Sequence, residues 1–282
     1  MKQILIPTDF SESAWNALFT ALKLYAETEC NFILFNAYEP RAADLLGKKS
    51  KDRLAVLYES METNSETELD KILKYLSENH TNSRHHFEKA AVADDLLEGL
   101  EQQLQKRETD LIVMGTQGAG GAREVFLGSN TVRVIRHVRN CPVLAVPEAF
   151  NFQALKKVLF PTDFTRPFSR HELELLLELL TGWQARLMIL HLTTGDQLTV
   201  EQRAVREALI EKLQGINHSF HQDDLYSDLS NAIGNFALDE RVDMIALIHY
   251  RHSFMERLTR EPVVKQVAFS CKVPFLILPD ID

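Results

Sequence analysis

The stretch MGTQGAGGAREVFLGSNT, Met114 to Thr131, carries five of the 11 glycines in the chain. Gly115, Gly118 and Gly128 stand in a G-x2-G-x9-G spacing, with Ser129 directly after the last. Glycine accepts positive φ and lets a ligand come close to the backbone. Successive amides in such a loop point inward and form a nest for an anion. A helix beginning near Ser129 would add unpaired N–H groups and the positive end of its dipole, and phosphate oxygens are received by both. Ser129 and Thr131 bring hydroxyls that can cap that helix or donate to a phosphate. The competing reading is a glycine-rich turn that binds nothing. Context favours the cradle: the apolar run TDLIVMG precedes the glycines and the helical pattern NTVRVIRHV follows them, as a phosphate loop requires. The stretch is neither a Walker A loop, lacking G-K-[ST], nor a G-x-G-x-x-G fingerprint.

The elements that must hold this stretch are visible as a repeat. QILIPTDFSESAWNAL (Gln3 to Leu18) returns as KVLFPTDFTRPFSRHEL (Lys157 to Leu173), TDLIVMG returns as VDMIALI (Val242 to Ile248), and VIRHVRNCPVLAVPE (Val134 to Glu148) returns as QVAFSCKVPFLILPD (Gln266 to Asp280). Three matches in one order imply two copies of one domain, 1–149 and 150–282, joined near PEAFNFQALKK. Within the first copy, QILIPTD reads as a buried strand. It is followed by a helix capped by Ser11, with Leu18, Leu22 and Tyr25 on one face. CNFILFNAY reads as a strand, residues 53–78 as a long polar helix, HHFEKA as a strand, and ADDLLEGLEQQLQKR as a helix with acidic residues in its first turn. Apolar strands alternating with helices predict an α/β fold: two tandem doubly wound domains, each with a mainly parallel sheet of about five strands. Ligands of such sheets bind beyond the carboxyl ends of the strands, where strand order reverses. The glycine stretch and PTD both follow strands directly, so they can share one crevice.

Composition narrows the function classes. The formal charge of −9 and a pI near 5.6 argue against a nucleic-acid binder, which carries a basic face. No apolar run approaches the roughly 20 residues of a spanning helix, and the start lacks the apolar core of a signal peptide. A cytoplasmic protein without membrane contact is expected. The three cysteines are far apart with no C-x-x-C pair, which supports neither a zinc knuckle nor a disulfide framework. The adjacent His85 and His86 alternate faces along a strand and do not readily share a metal. His218, His221, Asp223 and Asp224 lack a ligand spacing and read as solvated strand ends, and His249 and His252 read as loop residues.

G-x2-G-x9-G-[ST] after DLIVMG, followed by a helix and CPVLAVP, resembles the ATP-binding members of the universal stress protein family, and ILIPTDFSESAWNAL resembles that family's first strand and helix. The resemblance covers nearly the whole chain as two tandem copies. It implies an adenine-nucleotide-binding α/β fold, often dimeric through its last strand. It also implies ATP, with or without Mg²⁺, as ligand of the first copy. Asp9, after Pro7 and Thr8, would face the adenosine, and Ala37 would offer backbone groups to adenine. Met114 and Gly115 would line the ribose, while Gly118, Gly128, Ser129 and Asn130 would line the phosphates, with Gln117 and Thr131 as further contributors. Members of the family often carry a small hydroxyl residue where this chain has Asn130, whose amide still donates. Asp9 taken alone also reads as a turn former.

The second copy departs from the pattern. Ile248 falls at Gly115, Arg251 at Gly118, Arg260 at Gly128 and Glu261 at Ser129, so bulk and a negative charge replace the cradle, although PTD with Asp163 remains. The expected function is an ATP-binding, nucleotide-dependent stress-response regulator with the nucleotide in the first repeat only. The last strands VLAVP and FLILP are expected to pair within the chain as a pseudo-dimer, and two chains to pair in turn as a homodimer. Phosphoryl transfer needs a positioned base and cations. The cradle has no lysine, and Arg123 is the only cation in its middle. No catalytic residue is therefore assigned; a slow ATPase and a scaffold without nucleotide are the alternatives.

Overall fold

A computed structural model of the chain describes residues 1–40, 51–116, 128–193, 197–224, 229–248 and 273–280. β1 (Lys2–Pro7), α1 (Glu12–Leu24), β2 (Cys30–Ala37), α2 (Lys51–Asn79), β3 (His85–Val92), α3 (Leu96–Lys106), β4 (Leu111–Gly115), α4 (Ser129–His137) and β5 (Val143–Val146) make up the first half. The second half repeats the order among its described residues, with β6 (Lys157–Thr162), α5 (Arg170–Trp183), β7 (Arg186–Thr193), α6 (Val200–Lys212), β8 (His218–Asp224), α7 (Leu229–Glu240), β9 (Met244–Ile248) and β10 (Phe275–Leu278).

The strands form one ten-stranded sheet in the order β3-β2-β1-β4-β5-β10-β9-β6-β7-β8. Every pairing is parallel except β5 with β10, the last strands of the halves, which run antiparallel with Phe275 opposite Ala145, Leu276 opposite Leu144 and Ile277 opposite Val143. Each half is thus a doubly wound sheet whose order reverses between its first and fourth strands. The central strands are apolar on both faces because helices cover both: Ile4, Leu5 and Ile6 are at most 1% exposed. At the end of β2, successive side chains show the two layers. Asn36 meets Ser65 of α2, and a Cβ on Gly99 of α3 would lie 3.6 Å from the Cβ of Ala37.

The connection between the halves is fastened to α1. Asn16 Nδ2 reaches the carbonyls of Pro147, Glu148 and Phe150, and Lys23 Nζ donates to the carbonyl of Phe152 at 3.1 Å. Phe152 and Leu155 are buried, Phe152 packs edge-on against Trp183, and Trp183 Nε1 donates to the carbonyl of Leu24. Lys2 at the start of β1 pairs with Glu178 of α5. No helix among the described residues is long and apolar enough to cross a membrane.

Candidate functional site

β1 turns into α1 within four residues, through a relay of side chains bonded to nearby backbone. Thr8 Oγ1 accepts from the Phe10 amide at 3.0 Å. Phe10 is left-handed with φ 65°. Asp9 Oδ1 accepts from the Ser11 amide at 3.2 Å and from its hydroxyl at 2.6 Å, and Ser11 Oγ caps α1 by accepting from the Ala14 amide. Asp9 is exposed at the carboxyl end of the sheet, while Pro7 beneath it is buried. The Thr8 amide donates to the Phe35 carbonyl at 2.8 Å, which joins this turn to β2.

The neighbouring strand, β4, ends at Gly115 directly under the first turn of α1. A Cβ at Gly115 would lie 2.4 Å from Ser13 Oγ and 2.7 Å from the Ser13 carbonyl oxygen, so any side chain would drive the helix off the strand. Thr131, 2% exposed, donates its hydroxyl to the Gly115 carbonyl at 2.9 Å and binds α4 to the end of β4. The Gly128 amide donates to the Thr116 carbonyl at 2.5 Å, so both ends of the connection from β4 to α4 are fixed to each other. Gly128 is the N-cap of α4 and supplies no side-chain cap; Ser129 and Asn130 are exposed. The first amides of that helix therefore have no intrahelical partner. The Thr116 hydroxyl is buried without a hydrogen-bond partner among the described residues.

Two flanking pairs were not legible as site features in the sequence. Arg133 of α4 grips Asp95 with both terminal nitrogens, at 2.9 and 3.0 Å, and Asp95 also caps α3 through the Leu97 amide. The Arg133 hydrogen bonds hold the Asp95 carboxyl below its usual range. Beside it, the Asp94 carboxylate, by accepting a hydrogen bond from protonated Glu98 and by its charge, raises the Glu98 carboxyl. Asn36, the second pair's key residue, donates from Nδ2 to the Thr8 carbonyl at 2.7 Å and accepts from the Ser65 hydroxyl at 2.7 Å.

Of the residues singled out in the sequence, Pro7, Thr8 and Asp9 therefore lie at the end of β1, and Ala37 at the end of β2 beside it. Met114 and Gly115 lie at the end of β4, with Gly128, Ser129, Asn130 and Thr131 at the start of α4. Gln117 and Gly118 lie outside the described residues. Thr131 has its hydroxyl proton committed to Gly115, which makes it a fastener of the site rather than a free donor.

The same place in the second half is built differently. The PTD turn is reproduced: Thr162 Oγ1 accepts from the Phe164 amide, Phe164 is left-handed with φ 53°, and Asp163 Oδ1 accepts from the Thr165 amide and hydroxyl. Ile248 ends β9 at 2% exposure where β4 has Gly115. α5 starts four residues later relative to PTD, and the extra loop carries Arg166, which pairs with Glu172 at 3.3 Å and with Asp280 beyond β10 at 2.9 Å. Ser169 and Glu172 form a capping box, a signal legible in the spacing S-R-H-E. Residues 249–272, which hold Arg251, Arg260, Glu261, His249 and His252, lie outside the described residues.

Among the described residues no group of three or more His, Cys, Asp or Glu side chains is arranged to hold a metal ion. His85 instead bonds His80 at 2.8 Å and the Tyr25 carbonyl at 3.0 Å, and burial lowers the pKa of both imidazoles. His221 bonds Ser219, and His218 bonds the Ile216 carbonyl.

The model of the universal stress protein family matches residues 1–147, just over half of the 282 residues. The chain belongs to the universal stress protein family. A universal stress protein of Methanocaldococcus jannaschii is 28% identical over 145 residues, covering 51% of this chain and 81% of its own length. A solved universal stress protein from Archaeoglobus fulgidus is similar over 98% of this chain and 96% of its own, with a TM-score of 0.68 at 18% identity. The cytoplasmic domain of a prokaryotic cation chloride cotransporter is also similar, with a TM-score of 0.52 at 10% identity over 99% of this chain and 95% of its own. The fold is thus shared between a stress protein and a transporter domain, and the function of this universal stress protein has to be argued from its site.

Proposed function

We propose that this chain is a nucleotide-dependent stress-response regulator that binds ATP in its first half, between the carboxyl ends of β1 and β4. The observation that carries this reading is Gly115, which has no room for a Cβ against Ser13. Gly115 ends β4 where strand order reverses, and that is where an open α/β sheet takes its ligand. Beside it, the amides at the start of α4, which have no intrahelical partner, suit phosphate oxygens. Asp9 suits the ribose hydroxyls, and the buried, unpartnered Thr116 hydroxyl is a donor still without an acceptor. ATP fits this donor set because one end is anion-receiving amide and the other a carboxylate. In this reading the nucleotide acts as a conformational ligand.

The units in this reading are 1–149 and 150–282, sharing one sheet, and the second takes no nucleotide. Buried Ile248 and the Arg166–Glu172–Asp280 ion pairs support that, because they put bulk and internal partners where the first half is open. The edges of β5 and β10 are used inside the chain, so a homodimer would have to form through another surface. The setting we infer is the cytoplasm. The test is to denature freshly purified protein and identify the released nucleotide by chromatography, with stoichiometry per chain. About one ATP per chain supports the reading. ADP in its place favours slow hydrolysis, and two nucleotides per chain overturn the claim about the second half. No nucleotide, and no binding of added ATP with or without Mg²⁺, leaves the scaffold.

A further inference from the structure

We propose that Asn36 is a positioning residue for the nucleoside end of this site, oriented in turn by Ser65; the inference rests on the ATP reading above. Thr8 O can only accept, so the nitrogen of the Asn36 amide must face it, and the Ser65 hydroxyl then donates to Oδ1. Both ends of the amide are thereby fixed. Ser65 is 1% exposed and sits on α2 in line with buried Leu69, Ile72 and Leu76, so the support behind Asn36 is core. In front of it stands the turn that presents Asp9. Thr8 is held to β2 twice, by its own amide on the Phe35 carbonyl and by its carbonyl on Asn36. The next residue along β2 is Ala37, the backbone position assigned to the base. Asn36 therefore sets the separation of the two strand ends between which the nucleoside would lie, and its side-chain bonds run to the PTD turn and to α2.

The second half makes the same bond with a different residue. His191 occupies the matching place on β7, 6% exposed, and its Nδ1 donates to the Thr162 carbonyl at 3.1 Å. Asn36 and His191 share a donor aimed at the carbonyl of the PTD threonine and little else. The bond, rather than the residue type, is what this position supplies, and that makes Asn36→His a restoring substitution taken from the protein itself.

The experiment is titration of the full chain and of Asn36→Ala, Asn36→His and Ser65→Ala with ATP and, separately, with inorganic tripolyphosphate, alongside thermal unfolding of each. Losing one aimed hydrogen bond should weaken ATP binding by about tenfold in Asn36→Ala while tripolyphosphate changes by less than about twofold. Asn36→His should return ATP affinity to within about threefold of the unaltered chain. Ser65→Ala, which keeps the Asn36–Thr8 bond and frees its far end, should give a smaller loss confined to ATP. It decides the matter should Asn36→Ala not fold. Equal losses for both ligands, or ATP binding unmoved in every variant, overturn the assignment of Asn36 while leaving the ATP reading intact. An unaltered chain that binds no ATP overturns both.

Discussion

The two halves of this chain make the same turn and then part company. In each, a strand ends in Pro-Thr-Asp-Phe, the threonine hydroxyl accepts from the phenylalanine amide, and the phenylalanine takes a left-handed φ, 65° in Phe10 and 53° in Phe164. In each, the aspartate binds the amide and hydroxyl two residues on. Beyond that point the first half has Gly115 under α1, and the second has buried Ile248 and a longer loop whose Arg166 bridges Glu172 and Asp280. The half that lost the glycines kept the turn. The turn therefore answers to folding in both halves, while the glycine answers to the close approach of α1 to β4 at the end of the first half's fourth strand. A shared PTD is no evidence of a shared ligand.

The sharpest way to break this comparison is to exchange the requirement at the two matching positions. Gly115→Ala would place a Cβ against the Ser13 backbone, and the overpacked contact should cost about 1–3 kcal/mol of stability along with at least a tenfold loss of ATP affinity. Ile248→Ala removes a side chain that is 2% exposed and should cost about 2–5 kcal/mol with no effect on nucleotide. Urea unfolding and ATP titration of both variants check the pair. A Gly115→Ala protein that is as stable and as tightly binding as the original would mean that α1 can lift from β4 freely, and the close approach would then carry no argument.

How much of this was legible beforehand follows from the range of each interaction. The Ser11 cap and the acidic start of α3 act over two or three residues, and a string of letters displays such spacings directly. The apolar runs were legible as strands because burial on both faces removes any alternation. Pairing of VLAVP with FLILP was expected from two apolar edges, and the observed register sets Leu276 opposite Leu144. The supports of the site were not legible. Asn36 finds Ser65 on a helix 29 residues away, Arg133 finds Asp95 38 residues away, and Arg166 finds Asp280 114 residues away. Such partners are chosen by the packing of helices on the sheet, to which periodicity is blind. The role of Thr131 shifted for the same reason: its hydroxyl is claimed by a carbonyl 16 residues back.

A second contrast separates the halves by pH. Asn36 cannot titrate, whereas His191, making the equivalent bond, has its pKa lowered by burial, with Arg206 adding to the effect and the Thr162 carbonyl and Asp163 opposing it. Unfolded, such an imidazole takes its proton near pH 6.5. Between that pH and the lowered folded value, the unfolded chain holds more protons. The contribution is complete above about pH 6.5 and is lost as the pH falls through the folded pKa. Unfolding free energy measured from pH 7.5 to 5 should fall, and His191→Asn, which imports the first half's solution, should flatten the slope. His80 and His85 are shifted the same way and add to the slope. An unchanged slope in His191→Asn would show that His191 contributes none of it.

The smallest effect is the most discriminating. Asp9 and Asp163 make matched bonds to the second residue after them, at 3.2 and 2.6 Å in one turn and 3.0 and 2.8 Å in the other. Replacing either by Ala should cost about 0.5–1.5 kcal/mol, and the two losses should agree within about 0.5 kcal/mol, since the same hydrogen bonds disappear. Replacement by Asn keeps an oxygen acceptor for the turn and removes only the charge. Asp9→Asn should therefore leave stability near its original value and weaken ATP through the ribose contacts, while Asp163→Asn should change neither. Should Asp9→Asn bind ATP as well as the unaltered chain, Asp9 is a turn former as Asp163 is, and the difference between the halves narrows to the glycines and the start of α4.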